Sequence, residues 1–237
     1  MTTRILEAEN IKVSFGGLKA LDGASLYVEE GKVFSLIGPN GAGKTTFFNV
    51  IAGSLRPNSG KIRFMGQDIT SLKSHEICKK GIARTFQLKN AFLNLNVFEN
   101  VKAGLLKSKI NKTAMRERVF EILEFLDIGE IAEKTVSEIT PLEAKFVELG
   151  RALATSPKLV LLDELIGGLL PSETEQICTI VEKLRERGYS VLQIGHEIKP
   201  IMRTSDRVFV QDQGRKVADG TPEEIRRNEE VISCYLE

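Results

Sequence analysis

Apolar spacing changes along this chain and divides it. In the N-terminal section "ILEAENIKVSF" and "ASLYVEEG" alternate apolar and polar positions, as half-buried strands do. "KVFSLIG" is a continuous apolar run ending at a glycine and reads as a buried strand, while "GKIRFMGQDI" predicts a further strand pair. The period then becomes helical. In "NKTAMRERVFEILEFLDIG", Val119, Ile122, Leu123 and Leu126 recur at i, i+3, i+4 and i+7, one face of a helix packed on a core. Further on, Ile177, Ile180, Val181 and Leu184 form another stripe between the strand runs "KLVLLDE" and "YSVLQIGH". "RVFVQDQGRKVADG" predicts a hairpin turning at Asp212 to Gly214.

Strands alternating with helices predict an α/β fold whose sheet is mostly parallel and covered by helices. Three parts are expected. Residues 1–87 carry the antiparallel N-terminal strands and a glycine-rich loop, 88–156 a helical insertion, and 157–237 the second half of the parallel core.

Composition narrows the function classes. The chain has 237 residues, enough for one large domain with a satellite, and a formal net charge of +1 from 33 basic and 32 acidic residues. So even a balance predicts no nucleic-acid partner. Cys78, Cys178 and Cys234 lie far apart without CxxC spacing, which suggests neither a zinc site nor a disulfide framework and fits a reducing compartment. No apolar run approaches a membrane span and "MTTRILEAEN" lacks a signal-peptide core, so a soluble, cytoplasmic chain is expected.

The chemistry concentrates in "GPNGAGKT", Gly38 to Thr45, a G-x-x-x-x-G-K-[ST] loop between a predicted strand and a predicted helix. Glycines let the backbone curl so closely around a polyphosphate that its N–H groups become the ligands. Gly38, Pro39, Asn40, Gly41, Ala42, Gly43, Lys44, Thr45 and Thr46 are therefore candidate phosphate-binding residues, Lys44 as a point charge and Thr45 through its hydroxyl on Mg²⁺. Asp163, after the apolar run of "LVLLDE", is placed for the metal shell, and Glu164 to orient or deprotonate an attacking water. His196 ends the next strand, on the side of the sheet where α/β folds bind ligands, and is a candidate γ-phosphate contact.

In this order the residues resemble the ATP-binding subunit of an ABC transporter. Gly38 to Thr45 is similar to its Walker A motif, Leu159 to Asp163 to Walker B with Glu164 the catalytic base, Gln87 in "RTFQ" to the Q-loop and His196 to the switch histidine. The resemblance implies an ABC ATPase core of the P-loop NTPase class, with an antiparallel β subdomain and a helical subdomain. It also implies ATP and Mg²⁺ as ligands, Phe15 stacked on adenine, and Gln87 beside Thr45 and Asp163 at the metal, the aspartate through water. "GIARTFQL", "FGGLKALDG" and the ending "GTPEEIRRNEEVISCYLE" look most like branched-chain amino-acid importers, with lipopolysaccharide-export and urea-importer ATPases as relatives. The implied partners are a second ATP-binding subunit, transmembrane permease subunits and, for an importer, a substrate-binding protein, with the chain peripheral on the inner face of the membrane.

One segment departs from the family. Where it usually reads LSGGQ, facing the partner's nucleotide, this chain has Ile139, Thr140, Pro141, Leu142 and Glu143. "TPLE" predicts a strong helix start, with Thr140 as N-cap, Pro141 first and Glu143 closing a capping box. As an anion site it is expected to be poor: Pro141 has no N–H, Leu142 adds bulk and Glu143 adds negative charge. The D-loop position Leu170 is likewise apolar, and Leu165 replaces a proline. Two readings follow: the hydrolysing half of an asymmetric heterodimer, which the intact Glu164 and His196 favour, or a nucleotide-binding regulatory subunit, which a homodimer would favour.

Overall fold

The computed structural model describes residues 3–85, 92–106 and 108–236, with side chains as far as residue 233. Two sheets organise it. The first is antiparallel, in the order β2–β1–β4–β5, from β1 (Arg4–Phe15), β2 (Leu18–Glu29), β4 (Ser59–Phe64) and β5 (Gln67–Asp68). β2 begins six residues before the expected "ASLYVEEG". Gly16 at φ 58 turns the chain at once, so Leu18 pairs with Phe15 and the strand's mostly exposed or half-buried first half is held by its partner.

The second sheet has the order β10–β9–β3–β8–β7–β6. β3 (Val33–Ile37), β8 (Ser190–Ile194), β7 (Leu159–Asp163), β6 (Ile82–Arg84) and β9 (Arg207–Asp212) run parallel, and β10 (Arg215–Gly220) closes one edge as the antiparallel arm of the expected hairpin. Strands β3 and β8 are buried at every position, which explains why apolar residues dominate them, and the polar pair inside them is satisfied by Gln193 Nε2 donating to Ser35 Oγ at 2.9 Å. A core of Phe34, Phe47, Phe48, Ile51, Phe64 and Leu161 fills the space between the sheets around helix α1 (Lys44–Ile51).

A second core lies on the other face. It joins Val160 and Leu162 of the sheet to α6 (Pro171–Glu186) and to α3 (Val97–Ala103), α4 (Lys112–Phe125) and α5 (Pro141–Ala154). The predicted stripes supply it: Val119, Ile122, Leu123 and Leu126 from α4 and its end, and Ile177, Ile180, Val181 and Leu184 from α6. The helical insertion thus shares its apolar interior with the sheet. Short helices α2 (Ser74–Lys80), α7 (Ile198–Thr204), α8 (Pro222–Arg226) and α9 (Glu229–Leu236) complete the chain. Among the described residues no helix is long and apolar enough to cross a membrane.

Candidate active site

Three adjacent parallel strands bring the candidate groups to one end of the sheet. β3 runs into the glycine-rich loop, β7 ends on Asp163 with Glu164 directly after it, and β8, lying between them, is followed by His196. Loops at the C-terminal ends of parallel strands face outward together, so a ligand there meets all three.

The loop is shaped by what presses on it. A Cβ at Gly38 would lie 1.9 Å from the Gln211 carbonyl oxygen, and one at Gly43 would lie 2.3 Å from that of Ala20. A Cβ at Gly41 would meet nothing within 4 Å, although φ is +83° there. Gly38 and Gly43 are therefore required by packing, and Gly41 by backbone conformation on the open side. Gln211 Nε2 donates to the Ala42 carbonyl at 2.6 Å and the Gly214 N–H donates to the same oxygen at 3.0 Å, which fastens the loop to the β9–β10 hairpin. Gly43 caps α1 with no side-chain acceptor, leaving the helix's positive end to the loop.

Lys44 is buried and its Nζ donates to the carbonyls of Gly38 and Pro39 at 2.7 and 2.8 Å. Burial lowers its pKa, an effect offset by the negative charge of Glu164. Thr45 is exposed, with Asn40 and Gly41 beside the loop's mouth, and Pro39 and Thr46 are partly buried. Phe15, 52% exposed, stands at the tip of the β1–β2 hairpin, whose Ala20 and Leu21 abut Gly43.

Asp163 does not stand free. Its Oδ2 accepts from Arg84 Nη2 at 2.5 Å in a largely buried ion pair, and Arg84 Nη1 donates to Asn49 Oδ1 of α1 at 2.7 Å. Glu164 takes φ 49°, a strained conformation for a residue with a side chain, held by its N–H donating to the Ile194 carbonyl at 3.1 Å. Downstream, Lys145 of α5 donates to the carbonyls of Leu165 and Gly167 at 2.6 and 2.8 Å, and Gly167 packs against the His196 ring. Gln87 lies outside the described residues.

The helix start at Thr140 has the expected form: Thr140 Oγ1 accepts from the Glu143 N–H, Glu143 Oε2 accepts from the Thr140 N–H, and Pro141 occupies the first turn. Leu142 corrects the sequence reading. It is 6% exposed and packs in the core, so it adds no bulk at the tip of α5; its helical position turns it inward while Pro141 stays exposed. Ile139 packs beside it, Leu165 is buried, and Leu170, 66% exposed, precedes α6. One turn beyond Lys145, Glu148 is 4% exposed with Oε1 lacking a hydrogen bond, and burial pushes its pKa up to about 7 against the pull of Arg151 and Lys145.

Comparison with known proteins supplies the family. Residues 21–167 match the model of the "ABC transporter" family. The chain is 38% identical over 252 aligned positions to the high-affinity branched-chain amino acid transport ATP-binding protein BraF of Pseudomonas aeruginosa, covering all of this chain and 99% of that one. The chain belongs to the ABC transporter family, as an ATPase subunit.

Residues 215–236 of this ABC ATPase also match the model of the branched-chain amino acid ATP-binding cassette transporter. It is 35% identical to LivG of Salmonella typhimurium over its whole length, and 35% identical to the lipopolysaccharide export ATP-binding protein LptB of Haemophilus influenzae over 98% of its length. Among solved structures it is similar to the ADP conformation of the ATP-binding cassette MJ1267, with a TM-score of 0.91 and 33% identity over 99% of both chains. The fold, two sheets with a glycine-loop ATPase core and packed helices, is that of ABC ATPases. Sequence reasoning missed Arg84, Asn49, Gln211 and Lys145 as parts of the site. "GIARTFQ" carried Arg84 in view, but its partner lies 79 residues away.

Proposed function

We propose that this chain is the motor of an importer for branched-chain amino acids, working from the inner face of the membrane beneath permease subunits supplied by a binding protein. The observation that carries the motor reading is the convergence of the glycine loop, Asp163, Glu164 and His196 on the ends of β3, β7 and β8. The substrate class rests on the likeness to BraF and LivG and on the match at residues 215–236.

Each residue has a task. Loop N–H groups from Gly38 to Thr46 and the Lys44 ammonium hold the phosphates, Phe15 offers its ring to adenine, and His196 contacts the γ-phosphate. Glu164 accepts the proton of the attacking water, whose oxygen displaces ADP from the γ-phosphorus. The donor set suits Mg²⁺: a threonine hydroxyl at Thr45 and a carboxylate at Asp163, with Gln87 the third candidate. Bound Mg²⁺ would neutralise charge on the phosphate oxygens.

The start of α5 favours an asymmetric pair of ATPase subunits. Pro141 offers no N–H at the helix tip and Glu143 brings a carboxylate there, so this chain would serve its partner's nucleotide poorly while keeping the groups for its own. Steady-state ATPase activity of the chain alone and mixed with a second ATP-binding subunit, with Glu164→Gln as control, tests the reading. Activity that needs the mixture and falls by roughly a hundredfold or more with Glu164→Gln is expected. Activity indifferent to Glu164 would make this chain a regulatory nucleotide binder, and full activity alone would remove the need for asymmetry.

A further inference from the structure

The ion pair at the end of β7 carries a consequence for metal binding, on the reading of Asp163 as a metal-shell residue. Arg84 ends β6 and reaches two groups at once: the Asp163 carboxylate at 2.5 Å and, through its other terminal nitrogen, Asn49 of α1 at 2.7 Å. Both partners of the pair are about nine-tenths buried as side chains. The Thr85 hydroxyl accepts from the Asp163 N–H at 3.1 Å, so the last residue of β6 and the one after it grip this aspartate together. A carboxylate so placed has little water to balance its charge, and the guanidinium balances it instead.

We infer that Arg84 is a stand-in cation for the divalent metal: it neutralises Asp163 when no metal is bound and yields that carboxylate's charge when Mg²⁺ arrives with the nucleotide. Two opposing effects follow from one guanidinium. Without metal, Arg84 shields the incoming phosphates from Asp163 and helps nucleotide bind. With metal, the same positive charge weakens the attraction between Asp163 and Mg²⁺. Arg84 therefore sets how strongly nucleotide affinity depends on Mg²⁺, by linkage between the two ligands. It is a positioning residue, acting on the site through Asp163 and Asn49. Because Arg84 ends β6, exchange of guanidinium for metal would also change what holds the end of that strand.

Equilibrium binding of a fluorescent ADP analogue to the full chain, in excess Mg²⁺ and in EDTA, tests this. In Arg84→Gln the ratio of the dissociation constant in EDTA to that in Mg²⁺ is expected to rise by roughly tenfold, with metal-free affinity falling and the Mg²⁺ gain growing. Arg84→Lys, which keeps the charge, should stay near the wild-type ratio, and Asp163→Asn added to Arg84→Gln should erase the increase. Loss of a merely structural contact would weaken both affinities together and leave the ratio unchanged. That result, or a lowered ratio, overturns the inference. A wild-type chain whose nucleotide affinity ignores Mg²⁺ would overturn the assignment of the metal site itself, and the inference with it.

Discussion

Replacing Glu148 by glutamine is expected to stabilise the chain at alkaline pH and to do little in acid. The carboxyl is buried in α5 with Oε1 unbonded, and its pKa is pushed from the ordinary 4.5 to about 7 by burial, net of the attraction of Arg151 and Lys145. A carboxyl whose folded pKa is raised binds its proton more tightly in the native state. Stability then falls as pH rises through the window from 4.5 to about 7, and the full penalty is present above it. The shift corresponds to about 3 kcal/mol at about pH 8 and about 1 kcal/mol at about pH 5. Glutamine keeps the shape and never ionises, so its advantage should follow the same curve. Urea unfolding of both chains at the two pH values measures it, reading midpoint and slope together. A gain of equal size at both values, or none at either, would refute the reasoning.

Other predictions concern the loop and the helix start. Gly38→Ala places a Cβ against the Gln211 carbonyl, so we expect a loss of about 1–3 kcal/mol in thermal or urea unfolding and weaker ADP binding by titration calorimetry. Leu142→Ala should cost about 2–4 kcal/mol in urea unfolding, because the side chain lies in the core. A loss below about 0.5 kcal/mol would mean that Leu142 faces solvent at the helix tip. Restoring a glycine pair at positions 141 and 142 would therefore mix a change in phosphate contact with a core cavity, and Pro141→Gly alone is the cleaner probe.

Much of the fold was legible because it rests on local pattern. The buried runs of β3, β7 and β8 and the stripes on α4 and α6 each lie within a few turns of chain, and "GPNGAGKT" states its own chemistry. Leu142 was misread because alignment to a motif shows position in sequence but not direction from the helix axis; the core claims its side chain. Arg84, Gln211 and Lys145 escaped for a different reason. Each acts on a partner distant in sequence, Asp163, Ala42 or the carbonyls after Glu164, and a lone polar residue does not announce such a partner.

The fastening of Ala42 by the β9–β10 hairpin bears on biosynthesis. Gln211 follows its acceptor by 169 residues, and the strand carrying it also borders β3 in the sheet. The ribosome will have released the glycine loop, α1 and every helix of the insertion before that hairpin emerges. Until it docks, the Ala42 carbonyl lacks both donors and the loop has no wall at Gly38. Nucleotide thus meets a finished cradle only after the β9–β10 hairpin has been made, so ATP cannot template the first half of the chain, and fragments ending before that hairpin would not compete for it.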